Sequence, residues 1–227
     1  MGRPQTRRDI EVLEERGLWA ASSYLHRIIK RLIRKNAPLE IRFIKEAHRV
    51  LFMKARQPDI AGKYRLHNSP ELKRIDGTPL PMVSWENIPN TMAELDFELR
   101  ESTRNLRPPR THEEYLNLIE TAARLSHRLA CIHPFQNGNG RSPRLLSDGI
   151  LLRGGLSPSP IKKSKKHYLR AMRQADDGDF SVLEHLIIEG LLEIRKRNYE
   201  VAIRKQRELA KKKLHQKKRR LAGALRI

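Results

Sequence analysis

Apolar residues recur at helical spacing on both sides of one segment that no helix can traverse, and this arrangement constrains the fold more than any other feature of the chain. Before it run Tyr115, Leu118, Ile119, Ala122, Leu125 and Leu129, and after it run Leu145, Leu146, Ile150 and Leu151. The segment itself is His133-Pro134-Phe135-Gln136-Asn137-Gly138-Asn139-Gly140-Arg141-Ser142-Pro143-Arg144. Gly138 and Gly140 accept backbone angles closed to most residues, and Asn139 tolerates the left-handed region better than most side chains do. Successive N–H groups in such a run can converge on one anion. Pro143 suits the first position of a following helix, whose positive end would face the same point. Arg141 and Arg144 are three apart, so on a helix they share a face and can both reach one polyphosphate. His133 stands at the other end of the loop, as a general base would. Singly these are an ordinary turn, solvated arginines and a structural histidine; their joint spacing points to phosphate chemistry.

The remaining pattern is helical. The spacing predicts a helix over 8–35 with Ala21, Tyr24, Leu25, Ile28 and Leu32 on one face, and a second over 39–55 with Ile44, Ala47 and Leu51 inward. A third spans 89–104, opened by Pro89, with Met92, Leu95 and Leu99 spaced for burial. Thr111 and Glu114 form a capping-box pattern at the start of the helix that delivers the chain to His133. Gly154-Gly155 stops the helix after the loop. Tyr168, Leu169, Met172 and Ala175 begin a further helix, and Asp179 caps a last one whose face is Phe180, Leu183, Ile187, Leu191 and Ile194. From 58 to 89 seven prolines and glycines exclude a helix, leaving Lys63–Leu66 and Met82–Trp85 as short strands around an Asp76-Gly77 turn. The expected class is all-α, a helical bundle with one short β-hairpin.

The formal net charge of +21 is concentrated toward the C-terminus, where residues 191–227 hold fourteen Lys or Arg against three Glu. Beyond Arg197 the apolar stripe fades, so the helix projects into solvent or frays. Such a tail suits nucleic acid, a membrane surface or an acidic partner. One cysteine, Cys131, excludes an intramolecular disulfide and reads as a small buried hydrophobe. His112 and His127 read as a helix start and a polar helix face. Asp176-Asp177-Gly178-Asp179 lacks EF-hand spacing and reads as a turn. No apolar run approaches membrane-spanning length and there is no signal-peptide core, so a cytoplasmic location is expected.

His133, Phe135, Gly138, Asn139, Gly140, Arg141 and Arg144 match, in order and spacing, the signature H-x-F-x-[D/E]-G-N-G-R-x-x-R of the Fic family, which this chain resembles over roughly residues 39–192. Its form of the motif is similar to the bacterial branch called mobile mystery protein B. The resemblance divides the chain into an N-terminal helix (1–38), a Fic domain (39–192) and a basic tail (193–227). It implies transfer of AMP from ATP to a Ser, Thr or Tyr hydroxyl of a target protein. His133 would be the base, Gly138, Asn139 and Gly140 would bind phosphates, Arg141 and Arg144 would neutralise pyrophosphate, and Phe135 would anchor the loop. Tyr168 and Asp176 match by spacing the positions that line the adenine pocket. Gly62-Lys63-Tyr64-Arg65 is similar to the opening of the family's target-binding hairpin, the flap. The acidic position that usually ligates Mg²⁺ is occupied by Asn137, a neutral and weaker ligand.

Family members are commonly silenced by a helix carrying [S/T]-x-x-x-E-[G/N]. The nearest string, His185 to Gly190, has His at its first position and belongs to a core helix, so inhibition would come from a separate partner or be absent. Three readings follow: an active adenylyltransferase, a nucleotide-binding Fic pseudoenzyme, or a nucleic-acid-binding protein acting through residues 193–227.

Overall fold

The computed structural model describes residues 7–68, 77–79, 82–161 and 165–224, with side chains described from residue 8 to residue 209 within those ranges. Seven α-helices are seen among them: α1 (Arg7–Lys35), α2 (Ile41–Lys54), α3 (Ile88–Thr103), α4 (His112–Ile132), α5 (Arg141–Arg153), α6 (Lys165–Asp176) and α7 (Ser181–Ala224). The all-α expectation holds. A short 3₁₀ turn, Trp85–Asn87, precedes α3 where a second strand was expected. The first expected strand is reduced to a single antiparallel bridge between Tyr64 and Phe135. The turn residue Asp76 lies outside the described residues, so the hairpin is not seen as a whole.

α4 and α5, joined by the His133 loop, form the centre, and α4 is also met by α3, α6 and α7. The predicted capping box is present: Thr111 Oγ1 accepts from the Glu114 N–H at 3.2 Å, and Glu114 Oε2 accepts from the Thr111 N–H at 3.1 Å. Leu125 and Leu129 of α4 pack with Leu146 and Ile150 of α5, all at most 1% exposed. Tyr115, expected in the same stripe, is exposed.

α1 lies along α2 and also meets α5. Ala21, Leu25, Ile29 and Leu32 enter the same core cluster as the central helices. Burying a leucine or isoleucine contributes about 1.5–3 kcal/mol, so this face ties α1 down although it precedes the motif-bearing region. Gly17 permits the close approach, since a Cβ there would meet the Leu51 carbonyl oxygen at 2.4 Å. The entry to α2 is tied to α3: the preceding Leu39 N–H donates to Thr103 Oγ1 at 2.8 Å, and the first helical N–H, of Ile41, to Asp96 Oδ1 at 2.7 Å.

α7 is buried at Leu183, Leu186 and Ile187, and beyond Gly190 no described side chain is buried. The helix continues to Ala224, and from Leu191 to Leu209 its described side chains are exposed or half-buried, which favours the projecting alternative for the basic tail.

Asp148 of α5 lies beneath the 154–161 segment, accepting the Ser159 N–H at 2.8 Å. Burial pushes its carboxyl up from 3.8 to about 6, against the opposing pull of that hydrogen bond and of Arg144. The folded state therefore holds this proton more tightly than the unfolded chain does. Its favourable contribution is present at low pH and is lost as pH rises through about 6. Asp148→Asn keeps the acceptor and removes the charge. Denaturant titration should show it more stable than wild type by about 2–3 kcal/mol near pH 8 and roughly equal near pH 4.

Candidate active site

His133 ends α4 in the left-handed region, at φ 51 and ψ 53. That conformation costs a non-glycine residue roughly 1–2 kcal/mol, and here it turns the chain out of the helix axis into the loop. Arg65 holds the turn. Its Nε donates to the His133 carbonyl at 2.8 Å, Nη1 to the His67 carbonyl at 3.0 Å, and Nη2 to the Val83 carbonyl. Its own N–H donates to the Pro134 carbonyl at 2.9 Å. Arg65 is 6% exposed, and its side chain is a strut of the loop. Tyr64 pairs through its backbone with Phe135, and its ring lies beneath the Lys45 ammonium at 4.2 Å. Of Gly62, Lys63, Tyr64 and Arg65, only Lys63 is exposed.

Phe135 is 1% exposed and anchors the loop as expected. It stacks on His48 of α2 with ring centroids 3.8 Å apart. His48 passed unnoticed in the sequence because a lone histidine inside an apolar stripe carries no motif. Its Nδ1 accepts the Gly62 N–H at 3.0 Å, so its proton sits on Nε2, 3.0 Å from the Asn137 carbonyl oxygen. Burial holds this imidazole down to about 4, so it is neutral and joins the two segments as donor and acceptor at once. Gly138 closes against His48 and Phe52 of α2. Its φ is +84°, and a Cβ there would meet the Phe52 ring at 2.7 Å.

Asn139 does not line the loop as an anion ligand through its side chain. It is 7% exposed, accepting from the Phe135 N–H at 2.9 Å and donating to the Phe135 carbonyl at 2.6 Å, so it staples the turn. Helix α5 begins at Arg141, which puts Pro143 third in its first turn rather than first. The Gly138 carbonyl accepts from the N–H groups of Arg141 and Ser142, both at 2.9 Å.

His133, Gln136, Asn137, Gly138, Asn139, Gly140, Arg141 and Arg144 line one open cleft of about 480 Å³. The His133 imidazole is lowered from its ordinary value, chiefly by burial and then by the Arg65 guanidinium, so it is a neutral acceptor near pH 7. Arg144 is turned back, its Nε donating to the Gly140 carbonyl at 2.9 Å. Tyr168 lies outside the lining, and burial raises its hydroxyl against the opposing pull of Arg144. Asp176 is engaged elsewhere, with Oδ1 at 2.9 Å from His127 Nε2. His127 is therefore a buried partner and not part of a polar face.

One cleft residue comes from outside the motif. Glu14 of α1 meets Arg141 Nη2 at 3.3 Å, and the two side chains are 30% and 16% exposed. The neighbourhood of Gly17, where α1 presses on α2, carries Glu14 over the loop. No local pattern marks it, since the position four before is Ile10 and the one after is Glu15. Glu189, by contrast, pairs with His185 at 3.5 Å and lies away from the cleft.

Magnesium needs several anionic oxygens. Asn137 Oδ1 is neutral and already accepts from the Gly138 N–H at 2.7 Å and from Arg141 Nη2 at 3.4 Å. Glu14 is paired with arginine. These residues do not fit a magnesium ion held by the protein alone, in keeping with the weak ligand that Asn137 makes.

A helical bundle that sets a neutral histidine, a glycine turn and two arginines around one cleft defines a protein built to handle an anion. Residues 38–151 match the model of the Fic/DOC family, and the chain belongs to that family. It is 32% identical over 169 residues to the protein adenylyltransferase Fic of Nematostella vectensis, covering 74% of this chain and 36% of the relative. The Aedes aegypti protein of the same name is 40% identical over 62 residues, 27% of this chain and 12% of its own. This chain thus spans little more than a third of the first of these relatives and a smaller part of the second. Fic-1 of C. elegans (residues 134–508) superposes with a TM-score of 0.64 at 26% identity, covering 91% of this chain and 56% of that one. A Fic-domain signaling protein from Bacteroides thetaiotaomicron shares the fold, with a TM-score of 0.56 at 23% identity over 86% of this chain and 70% of its own.

Proposed function

We propose that this chain is a protein adenylyltransferase, transferring AMP from ATP to a hydroxyl side chain of a target protein. The observation that supports it is the convergence of His133, the Gly138–Gly140 turn, Arg141 and Arg144 on one cleft. The hydroxyl oxygen of the target attacks the α-phosphorus of ATP. The new P–O bond forms as the bond to the bridging oxygen breaks, pyrophosphate leaves, and the hydroxyl proton passes to His133. Arg141 and Arg144 offset charge on the departing phosphates, and the start of α5 adds its dipole. In this reading magnesium arrives as the counter-ion of ATP, and no step is assigned to it. Without nucleotide, a calorimetric Mg²⁺ titration of the protein should give no saturable binding.

Incubation with ATP labelled on the α-phosphate and a cell lysate tests the reading, followed by mass spectrometry of labelled proteins. Transfer of AMP to Ser, Thr or Tyr is expected. ATP binding without transfer to any protein or to the chain itself would favour the pseudoenzyme.

The exposed basic rod of α7 supports a second activity, salt-dependent binding of nucleic acid through residues 193–227. Removing 198–227 should leave the helical core folded, because no described side chain beyond Gly190 is buried, and should abolish that binding. Binding that persists after truncation assigns it elsewhere.

A further inference from the structure

The end of α4 and the end of α6 bring three chemically different side chains to one point. His127 Nε2 lies 2.9 Å from Asp176 Oδ1 and 3.4 Å from Cys131 Sγ, and that sulfur lies 3.7 Å from the same carboxylate oxygen. His127 and Cys131 are four apart on α4 and so share a face, while Asp176 is the last residue of α6. The Phe180 ring meets the imidazole edge-on with centroids 5.6 Å apart and shields it from water. None of the three lines the cleft at His133.

A thiol, an imidazole and a carboxylate also make a nucleophilic relay, but such a relay touches the thiol through one ring nitrogen and the carboxylate through the other. Here both partners meet Nε2, and Nδ1 is farther from the sulfur at 3.9 Å. One nitrogen cannot direct a single proton at both. Three ligand atoms facing one another instead outline the base of a coordination shell. Tetrahedral zinc with bonds of about 2.0–2.3 Å would set its ligand atoms about 3.3–3.6 Å apart. The three separations fall within about half an ångström of those edges.

We propose that His127, Cys131 and Asp176 form a zinc site with three protein ligands and an open fourth position. A thiolate and an imidazole favour zinc over magnesium or calcium, which prefer all-oxygen shells. Binding releases the thiol proton to solvent and leaves a thiolate on the metal. The ion would tie α6, which carries Tyr168, to the helix that ends at His133. It is independent of the adenylyltransferase reading, since a zinc-bound chain needs no activity to be recognised.

The test uses the full chain, stripped with chelator and dialysed, then titrated with Zn²⁺ alone and with Co²⁺ alone in excess Mg²⁺. One equivalent of either ion should bind, undisplaced by Mg²⁺, and the cobalt form should show a thiolate-to-metal charge-transfer band in the near ultraviolet. Cys131→Ala should remove that band and weaken zinc binding on the order of a hundredfold, and Asp176→Asn should weaken it about tenfold with the band retained. Absence of stoichiometric binding, or binding and band unchanged in Cys131→Ala, overturns the site. If circular dichroism shows that Cys131→Ala has lost its helices, Asp176→Asn decides, and full zinc affinity in that variant overturns the proposal.

Discussion

In the proposed reaction His133→Ala should lower AMP transfer by about a hundred- to ten-thousandfold while leaving ATP affinity within about twofold. The division follows from what the side chain faces. In the proposed reaction its imidazole, which lines the cleft, would take the proton of the incoming hydroxyl, whereas the arginines and the turn would meet the phosphates. Because burial and Arg65 lower the imidazole, wild-type transfer should lose its base only on an acid limb with a midpoint below about 6.5, the value of a free histidine. Arg144→Ala should do the opposite, weakening ATP binding about tenfold by removing a charge-assisted contact. Single-turnover rates and ATP titrations across pH check both variants. Equal losses of affinity in the two would mean that His133 binds nucleotide and is not the base.

Glu14→Gln should raise ATP affinity about tenfold, or 1.4 kcal/mol, and raise transfer with it. In the folded chain the Glu14 carboxylate meets Arg141 inside the cleft that the phosphates would enter in the proposed reaction. The pair is partly exposed, so its own attraction is worth on the order of 1 kcal/mol or less. To that is added repulsion between the carboxylate and a triphosphate in the same space, which falls on bound nucleotide alone. Glutamine keeps the size and the helical preference of the side chain and removes the charge, so α1 should stay docked. Calorimetry with ATP measures the first effect, and initial rates at low ATP measure the second. Unchanged affinity would show that Arg141 does not contact the phosphates.

The motif from His133 to Arg144 is legible because its chemistry is local, with seven residues whose order along the chain is also their order around one loop. The helices beside it were legible for the same reason, as Leu118, Leu125 and Leu129 repeat with the helical period and are buried together. The roles inside the loop were less so. The Asn139 side chain staples the backbone of Phe135 and the Arg65 side chain holds the His133 carbonyl, and no local pattern marks either bond. A side chain's type states which bonds it can make, and only the folded surroundings state which of them it does make. His127 and Cys131 were assigned to a polar face and to the core because their shared partner, Asp176, is more than forty residues away on another helix.

From the order of amino acids alone come the helical period, the cap at Thr111, the glycine turn and the charge of the exposed C-terminal rod. Each is an interaction among near neighbours or with water, and it has the same sign in any fold. Packing between distant segments added His48 behind Phe135, Glu14 against Arg141, and the convergence of His127, Cys131 and Asp176. These depend on where helices cross. The crossing of α1 over α2 is permitted by Gly17 and held by side chains whose burial is a property of the whole core.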